Sequence, residues 1–207
     1  MGLPTHHERV RRCGAPQCTH PALPGVPHCW EHVENRENLH EELITKARDG
    51  SLAGQCLWGI DLSGADLRGA DLRGALLTEA KLQGAHLERA NLSGARLERS
   101  DLREAQAEGA TFAWAVLGLA DLSGGQFPRC DFSRSNLVGV RAVGGVFDEC
   151  NLYYSRPGKA DFTRASLREA NLTRAVFRRA ILREADATGH GGQPNLDGAD
   201  TRGARGL

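Results

Sequence analysis

The sequence predicts an all-β solenoid whose chain coils with four sides, and three observations support this fold class. A period of five residues runs from the quintet centred on Leu57 to the quintet centred on Ala187, which gives 27 quintets without an insertion. Leucine or phenylalanine occupies 23 of the 27 centres. Two residues before the centre, Ala, Gly, Ser or Cys stands in 24 of the 27 quintets. Since neither an α-helix nor a flat strand has a period of five, the pattern indicates a closed coil.

Four quintets close one square turn if each quintet forms one side and one corner. The central residue then points into the axis of the coil, and the small residue before it lets neighbouring backbone segments approach. Successive turns would stack about 4.8 Å apart, as parallel strands do, with N–H groups paired to C=O groups. The 27 quintets correspond to 6.75 turns, or a rod of about 32 Å at that spacing. Such a coil needs many stacked turns to be stable.

Several quintets carry a more specific pattern, in which Ala is followed by Asp or Asn and then by Leu. The clearest are Ala65-Asp66-Leu67-Arg68-Gly69 and Ala90-Asn91-Leu92-Ser93-Gly94. They resemble the repeat unit of the pentapeptide repeat family, and the resemblance covers residues 55–189. It implies a right-handed quadrilateral β-helix. Asp or Asn precedes the centre in 12 of 27 quintets, where its side chain can accept hydrogen bonds from nearby backbone N–H groups, so we expect a structural role rather than catalysis.

Sorting the quintets by fours assigns side chains to the four walls of the coil. One wall has its centres at residues 57, 77, 97, 117, 137, 157 and 177, and its outward positions are unusually apolar. Either the N-terminal segment and the wall's own small side chains cover this stripe, or it binds a partner or a second copy. The predicted partner surface comprises Trp58, Leu76, Trp114, Val116, Leu119 and Val138.

The N-terminal segment, residues 1–32, contains a candidate metal site. Cys13, Cys18, Cys29 and His32 are spaced C-x4-C-x10-C-x2-H, and three thiolates with one imidazole form a closed tetrahedral Zn²⁺ ligand set. The segment resembles short treble-clef zinc fingers, and it is rich in Pro and Gly with little core of its own. We therefore predict a structural zinc ion rather than a catalytic one. The alternatives are a reduced arm with incidental cysteines, or a different fourth ligand, for which the candidates are His20, His28, His6 and His7.

Residues 33–54 are predicted to form a capping helix and a linker. The helical pattern runs from about Glu31 to Arg48, and Gly50 is its expected stop. One stripe of the helix is apolar, and it contains Leu39, Leu43, Ile44 and Ala47. We expect this helix to cover the open end of the coil or to fold against the apolar wall beside Trp58, the alternative being a free docking helix.

Residues 190–207 interrupt the period and resume it one residue out of phase at Asn195-Leu196. This tail either makes a last irregular turn or leaves an open edge. An open edge would favour an end-to-end homodimer, which the family resemblance also implies.

The sequence carries no motif for catalysis: it lacks a phosphate-binding loop, a catalytic triad and a dinucleotide fingerprint. We therefore predict a non-enzymatic binding or scaffold protein with an unidentified protein partner. The alternatives are modulation of DNA gyrase by DNA mimicry, which the family resemblance suggests, and nucleic-acid binding through the zinc finger and the arginine-rich last turns. Mimicry requires an acidic rod, yet residues 55–189 contain 17 Asp/Glu and 18 Lys/Arg. Nucleic-acid binding lacks support from aromatic residues interleaved with those arginines along the sequence. An enzyme that uses the metal is the least favoured interpretation.

The composition also predicts a cellular compartment. The chain has no net charge, its first residues lack the apolar core of a signal peptide, and no apolar run approaches the ~20 residues of a membrane helix. The six cysteines do not follow a disulfide framework, since Cys13, Cys18 and Cys29 cluster while Cys56, Cys130 and Cys150 are scattered. Cys130 and Cys150 fall one turn apart at the small inward position, where we expect them to be core residues. We expect a cytoplasmic protein without membrane contact.

Overall fold

A right-handed, four-sided β-helix forms most of the protein, as predicted. The computed structural model describes residues 11–48 and 52–207, so His6, His7 and Gly50 lie outside the described residues. Parallel β-bridges join residues that are 20 apart, beginning with Cys56–Leu76 and continuing to Asn171–Gly191. Each bridge is a single residue pair, because the chain turns a corner after every quintet. One turn therefore contains four quintets.

We number the walls by their central residues in chain order. Wall 1 has the centres 57 to 177 at intervals of twenty, wall 2 follows from residue 62, wall 3 from residue 67, and wall 4 from residue 72. On wall 1 the N–H of Leu57 donates to the carbonyl of Leu76 at 2.8 Å, and the N–H of Gly59 donates to the carbonyl of Thr78 at 3.0 Å. In the opposite direction, the N–H of Leu76 donates to the carbonyl of Gln55 at 2.9 Å. Because these three hydrogen bonds repeat along the coil, the backbone N–H and C=O groups that face an adjacent turn are paired.

Each corner is a four-residue turn closed by a local hydrogen bond, such as that from Ala65 N–H to the carbonyl of Leu62 at 3.1 Å. The second residue after every centre has a positive φ. Glycine occupies 11 of these 27 corners, and the other 16 hold residues such as Glu79 and Arg134. A side chain in this left-handed conformation costs roughly 1 kcal/mol, which the stacked turns must offset.

The core is a single column of leucine and phenylalanine side chains along the axis. Leu92 is fully buried, as are nearly all central residues and the alanines two positions before them. In the second half, six phenylalanines form a continuous chain of ring contacts from Phe112 to Phe177. Cys130 and Cys150 are buried in the wall of this core, and each thiol donates to a backbone carbonyl.

The described residues contain one α-helix, α1, which spans Arg36–Arg48 and covers the first end of the coil. It begins five residues later than the pattern indicated, because the side chain of Asn35 caps it by accepting from the N–H of Asn38 at 3.4 Å. Leu43 is fully buried, and the apolar stripe of α1 joins the core of the coil. The carbonyl of Ala47 accepts from the N–H of Asp71 at 3.0 Å. Elsewhere in the coil the equivalent N–H donates to a carbonyl of the preceding turn, so α1 takes the place of that turn here.

The coil geometry begins one quintet before residue 55. Leu52 is buried like a central residue, and Gly54 takes the corner conformation with a φ of 71°. Within the described residues, no helix is both long enough and apolar enough to span a bilayer.

At the other end, the chain completes a last turn in which the register shortens by one residue. Val176 pairs with Asn195, and Asp186 pairs with Arg205, so these bridges span 19 residues instead of 20. Leu196 and Ala199 pack partly buried against the core. Of the two alternatives for the tail, the irregular last turn is the one that the structure contains.

Candidate functional site

The N-terminal segment brings the four predicted metal ligands together through two backbone turns. An antiparallel bridge joins Arg12 to Pro21, and Cys13 N–H donates to the carbonyl of His20 at 2.9 Å. This hairpin holds Cys13 and Cys18. The N–H groups of His32 and Val33 both donate to the carbonyl of Cys29, at 3.0 and 3.1 Å, so a helical turn places Cys29 and His32 on one side.

The distances within this cluster match a tetrahedral zinc site. The Sγ atoms of Cys18 and Cys29 lie 3.8 Å apart. His32 Nδ1 lies 3.6 Å from the Sγ of Cys13 and 3.3 Å from the Sγ of Cys29. Zn–S bonds of about 2.3 Å and Zn–N bonds of about 2.0 Å at tetrahedral angles separate two sulfurs by about 3.8 Å and a sulfur from a nitrogen by about 3.5 Å. All four ligand atoms lie within 4.8 Å of one another, so the cluster can hold a metal ion.

The thiols of the cluster differ in their tendency to ionise. Burial raises the pKa of Cys29, which is fully enclosed. At Cys13, burial acts in the same direction, but hydrogen bonds from the backbone of Cys29 and Ala15 outweigh it and lower the pKa. The cluster therefore provides one readily formed thiolate, and metal binding would displace the remaining thiol protons.

The competing histidines have other surroundings. The ring of His20 lies against Trp58 with centroids 4.1 Å apart, and its Nδ1 lies 3.3 Å from a carboxylate oxygen of Glu31. His20, Cys29 and Glu31 form a second group with metal-binding atoms close together. His28 belongs to neither group in the described structure. The contact between His20 and Trp58 also attaches the N-terminal segment to wall 1 of the coil.

The six residues of the predicted partner surface fall into two groups. Trp58 and Leu76, near the N-terminal segment, are half-buried, whereas Trp114, Leu119 and Val138 are exposed and Val116 is half-buried between them. The stripe on wall 1 is therefore covered at one end and open over its second half. We call the outward side chains of residues 114–119, 134–139, 154–159 and 174–179 the wall-1 patch.

A ladder of alternating aromatic and cationic side chains borders the wall-1 patch at the corner between walls 4 and 1. The guanidinium of Arg134 lies 4.8 Å from the ring centroid of Trp114 and 5.7 Å from that of Tyr154. Arg174 lies 5.1 Å from the Tyr154 centroid and donates a hydrogen bond to its hydroxyl. The aromatic residues do interleave with the arginines, contrary to the expectation from the linear sequence. A spacing of twenty residues was the signal that could have revealed this.

The Asp and Asn residues that precede the centres serve the backbone, as predicted. In all twelve such quintets the side-chain oxygen accepts from the N–H two residues further along the chain. In the first of them, Asp61 Oδ1 accepts from the N–H of Ser63 at 3.1 Å. These Asp and Asn side chains thus stabilise the turns.

The fold and the repeat together define a class, that of the right-handed β-solenoids built from five-residue units. The family model for pentapeptide repeats matches residues 51–84, 80–118, 115–152 and 159–190, with eight copies. The chain belongs to the pentapeptide repeat family.

Two solved structures of similar proteins support the same fold. Full-length QnrB1, a plasmid-mediated fluoroquinolone resistance protein, is 20% identical, with a TM-score of 0.57 over 76% of this chain and 86% of that chain. A trypsin-treated variant of QnrB1 gives 21% identity and a TM-score of 0.56 over 74% of this chain and 84% of that chain. Another similar chain is HetL from the cyanobacterium Nostoc, a pentapeptide repeat protein involved in the regulation of heterocyst differentiation, which is 25% identical with a TM-score of 0.32 over 84% and 94% of the two chains. A comparison with curated protein sequences gives no significant match.

Proposed function

We propose that this protein is a non-catalytic scaffold that binds a protein partner through the wall-1 patch and is closed at one end by a zinc-stabilised cap. One observation carries the proposal. Six large apolar or aromatic side chains of the described residues are strongly exposed, and five of them belong to the wall-1 patch: Trp114, Leu119, Val138, Tyr154 and Val176.

This clustering is not a consequence of the repeat itself. On the other walls the outward positions hold mostly charged and polar residues, which pair with each other and with the backbone. An exposed apolar area with a polar border is typical of a binding surface. Trp, Tyr and Arg are also the residues that most often dominate binding energy at protein interfaces.

Cross-linking in cells tests the position of the partner. We would place a photoreactive amino acid at Val138 and compare it with the same substitution at Val143. Both valines follow a central residue directly, on adjacent walls of one turn, and are therefore matched in backbone position. We expect a cross-linked protein partner from position 138 and none from position 143. Equal labelling at both positions, or no product at either, would contradict the proposal.

The proposed zinc site is structural because Cys13, Cys18, Cys29 and His32 would fill the four positions of a tetrahedral ion and leave none for water. A bound ion would fix the hairpin to the turn that precedes α1. Leu23, Val26 and Trp30 attach this region to the core of the coil, and zinc would add the stability that holds the hairpin and the turn together.

Metal analysis of the purified protein tests this site. We expect about one zinc ion per chain and its loss in Cys29→Ser. The matched control is Cys56→Ser, which removes a partly buried thiol outside the cluster and should retain the metal. A wild-type protein without zinc, or equal loss in both variants, would refute the site.

The alternative of gyrase modulation comes from the name of QnrB1, at a sequence identity that supports the fold alone. The charges of the coil oppose DNA mimicry, because its carboxylates are largely paired with arginines and the wall-1 patch contains none. Supercoiling by gyrase with a quinolone present is the direct test. We expect no protection by this protein at micromolar concentration, and protection would replace the scaffold proposal.

A further inference from the structure

The charges of the wall-1 patch identify the chemistry of its partner. The coil from residue 52 to residue 207 contains twenty lysines and arginines, and thirteen of them form an ion pair with a carboxylate. Within the described chain the other seven have no such pair. Six of these seven belong to the wall-1 patch: Arg134, Arg156, Lys159, Arg174, Arg178 and Arg179.

The patch also contains no acidic residue. The outward residues of its four rungs are aromatic, aliphatic, glycine, asparagine, arginine or lysine. In the two preceding turns of the same wall, Glu79 and Glu98 are present and pair with Arg99 and Arg96. The unpaired cations are therefore concentrated in the same part of the rod as the exposed apolar side chains.

Two of these cations are held in place by aromatic rings. Arg134 lies between Trp114 and Tyr154, and Arg174 lies against Tyr154. The stacked guanidinium of Arg134 keeps its N–H edges free, whereas Arg174 donates one N–H to the Tyr154 hydroxyl. Free N–H edges fit a carboxylate or a phosphate with two parallel hydrogen bonds. Because the rings already restrict the side chains, binding would cost less conformational entropy.

Beside this ladder the patch also contains an apolar area. Leu119 spreads across Gly139, where an added Cβ would approach its Cδ2 to 2.8 Å. Gly118 and Gly158 have no side chain to project from the neighbouring outward positions. The side chains of Val138 and Val176 remain exposed. A ligand for this surface needs apolar groups next to its negative charges.

We infer that the wall-1 patch binds an acidic protein segment that also carries apolar side chains. This inference rests on the proposed function and specifies its partner. A nucleic acid fits less well, since guanidinium groups already lie against the rings of Trp114 and Tyr154, and stacked bases would have to compete with them. Phosphates would also leave the aliphatic area uncovered. The four rungs extend over about 14 Å, the length of roughly ten helical residues.

Peptide display tests the inference, because selection from a library requires no candidate partner. Random peptides of about twelve residues are selected on the full-length protein at about 0.15 M salt. We expect enrichment of sequences with several Asp or Glu residues and at least one large apolar residue. Affinity of the most enriched peptide is then measured by fluorescence anisotropy against variants of the full chain.

The structure offers a matched charge control. Arg134 and Arg89 are both exposed, both occupy a corner with a positive φ of 58–59°, and neither has a carboxylate partner in the described structure. Glutamate occurs naturally at the same corner in other quintets, as at Glu104, so charge reversal is compatible with the fold. We expect Arg134→Glu to weaken peptide binding about tenfold, and Arg89→Glu to change it less than about twofold.

The outcomes separate the inference from the proposed function. Enriched peptides that are neutral, but lose affinity in Leu119→Ser, would overturn the acidic partner and leave the binding surface intact. If the affinity of the peptides is unchanged in Leu119→Ser and in Arg134→Glu, or if no peptide is enriched, the acidic partner and the proposed binding surface are both overturned. Tighter binding of a single-stranded RNA of about 20 nucleotides, lost in Arg134→Glu, would assign the patch to nucleic acid instead. A dimer in solution that Arg134→Glu dissociates would assign it to a second copy.

Discussion

Replacement of Gly125 by alanine should destabilise the protein, although alanine is the commonest residue at its position in the repeat. Gly125 stands two residues before the centre Phe127 and does not have a positive φ. From the backbone alone, Gly125→Ala would stabilise by about 0.4–1 kcal/mol, because it restricts the unfolded chain. In the structure, however, the added Cβ would lie 2.5 Å from Cε2 and 2.9 Å from Cζ of Phe127.

The ring of Phe127 has little freedom to move away. It is fully buried, it is stacked on Phe147 at 5.2 Å, and it meets the edges of Phe112 and Phe132 at 6.2 and 6.0 Å. Overpacking of a dense core costs about 1–3 kcal/mol. After subtraction of the backbone gain, we expect Gly125→Ala to lower the free energy of unfolding by about 1–2 kcal/mol.

Unfolding in guanidinium chloride, followed by circular dichroism, measures this effect. Phe127→Leu removes the clashing ring atoms, so the cost of Gly125→Ala should largely disappear in that background. The matched control is Ser155→Ala, which introduces alanine at the same position of another quintet, where the buried hydroxyl lacks a partner in the described structure. A more stable Gly125→Ala protein, or a cost that persists in the Phe127→Leu background, would refute the packing argument.

Three further substitutions test other parts of the structure. Pro157 occupies a centre on wall 1 without an N–H for the carbonyl of Val176, so Pro157→Leu should stabilise by about 1 kcal/mol, and a lower unfolding midpoint would contradict this. Leu43→Ala should cost about 2–5 kcal/mol and speed amide hydrogen exchange mainly in the first turn, whereas uniform acceleration along the rod would argue against a local cap. Burial opposes ionisation of Asp148, but hydrogen bonds from Ser166 and Arg168 hold its pKa below the usual range. The stabilisation that the ionised Asp148 gives to the folded protein is therefore complete above about pH 4 and is lost as the pH falls. Asp148→Asn should be less stable at pH 7 by about 1 kcal/mol, and the difference from wild type should shrink as the pH falls below about 4; a difference that stays constant would be inconsistent with the assignment.

The sequence was sufficient for the coil because its core positions repeat without interruption. The inward leucines, the alanines before them and the Asp and Asn turn residues each have one physical role that recurs every five residues. The corner conformation was not predictable in the same way. Arg134 and Glu149 have no intrinsic preference for a positive φ, and only the hydrogen bonds to adjacent turns impose it.

The candidate metal site could be predicted as a set of residues but not as an arrangement. The spacing of the cysteines indicated the ligand types, whereas the choice between His32 and His20 depended on how the chain folds back on the coil. The start of α1 at Arg36 rather than near Glu31 has a similar origin, because Cys29 and His32 occupy a separate turn and Asn35 supplies the cap.

The residues of the proposed interaction surface recur in the sequence with a period of twenty rather than five. The core restricts the central residue and the small residue before it, and the turn often restricts the residue between them. The two positions after the centre are free to vary, and side chains at these positions meet their neighbours one full turn away. Trp114, Arg134, Tyr154 and Arg174 are distant in sequence but adjacent in the rod. A binding surface in such a coil is therefore to be sought in columns of outward residues. In the wall-1 patch these columns contain no acidic residue, and their apolar side chains are exposed.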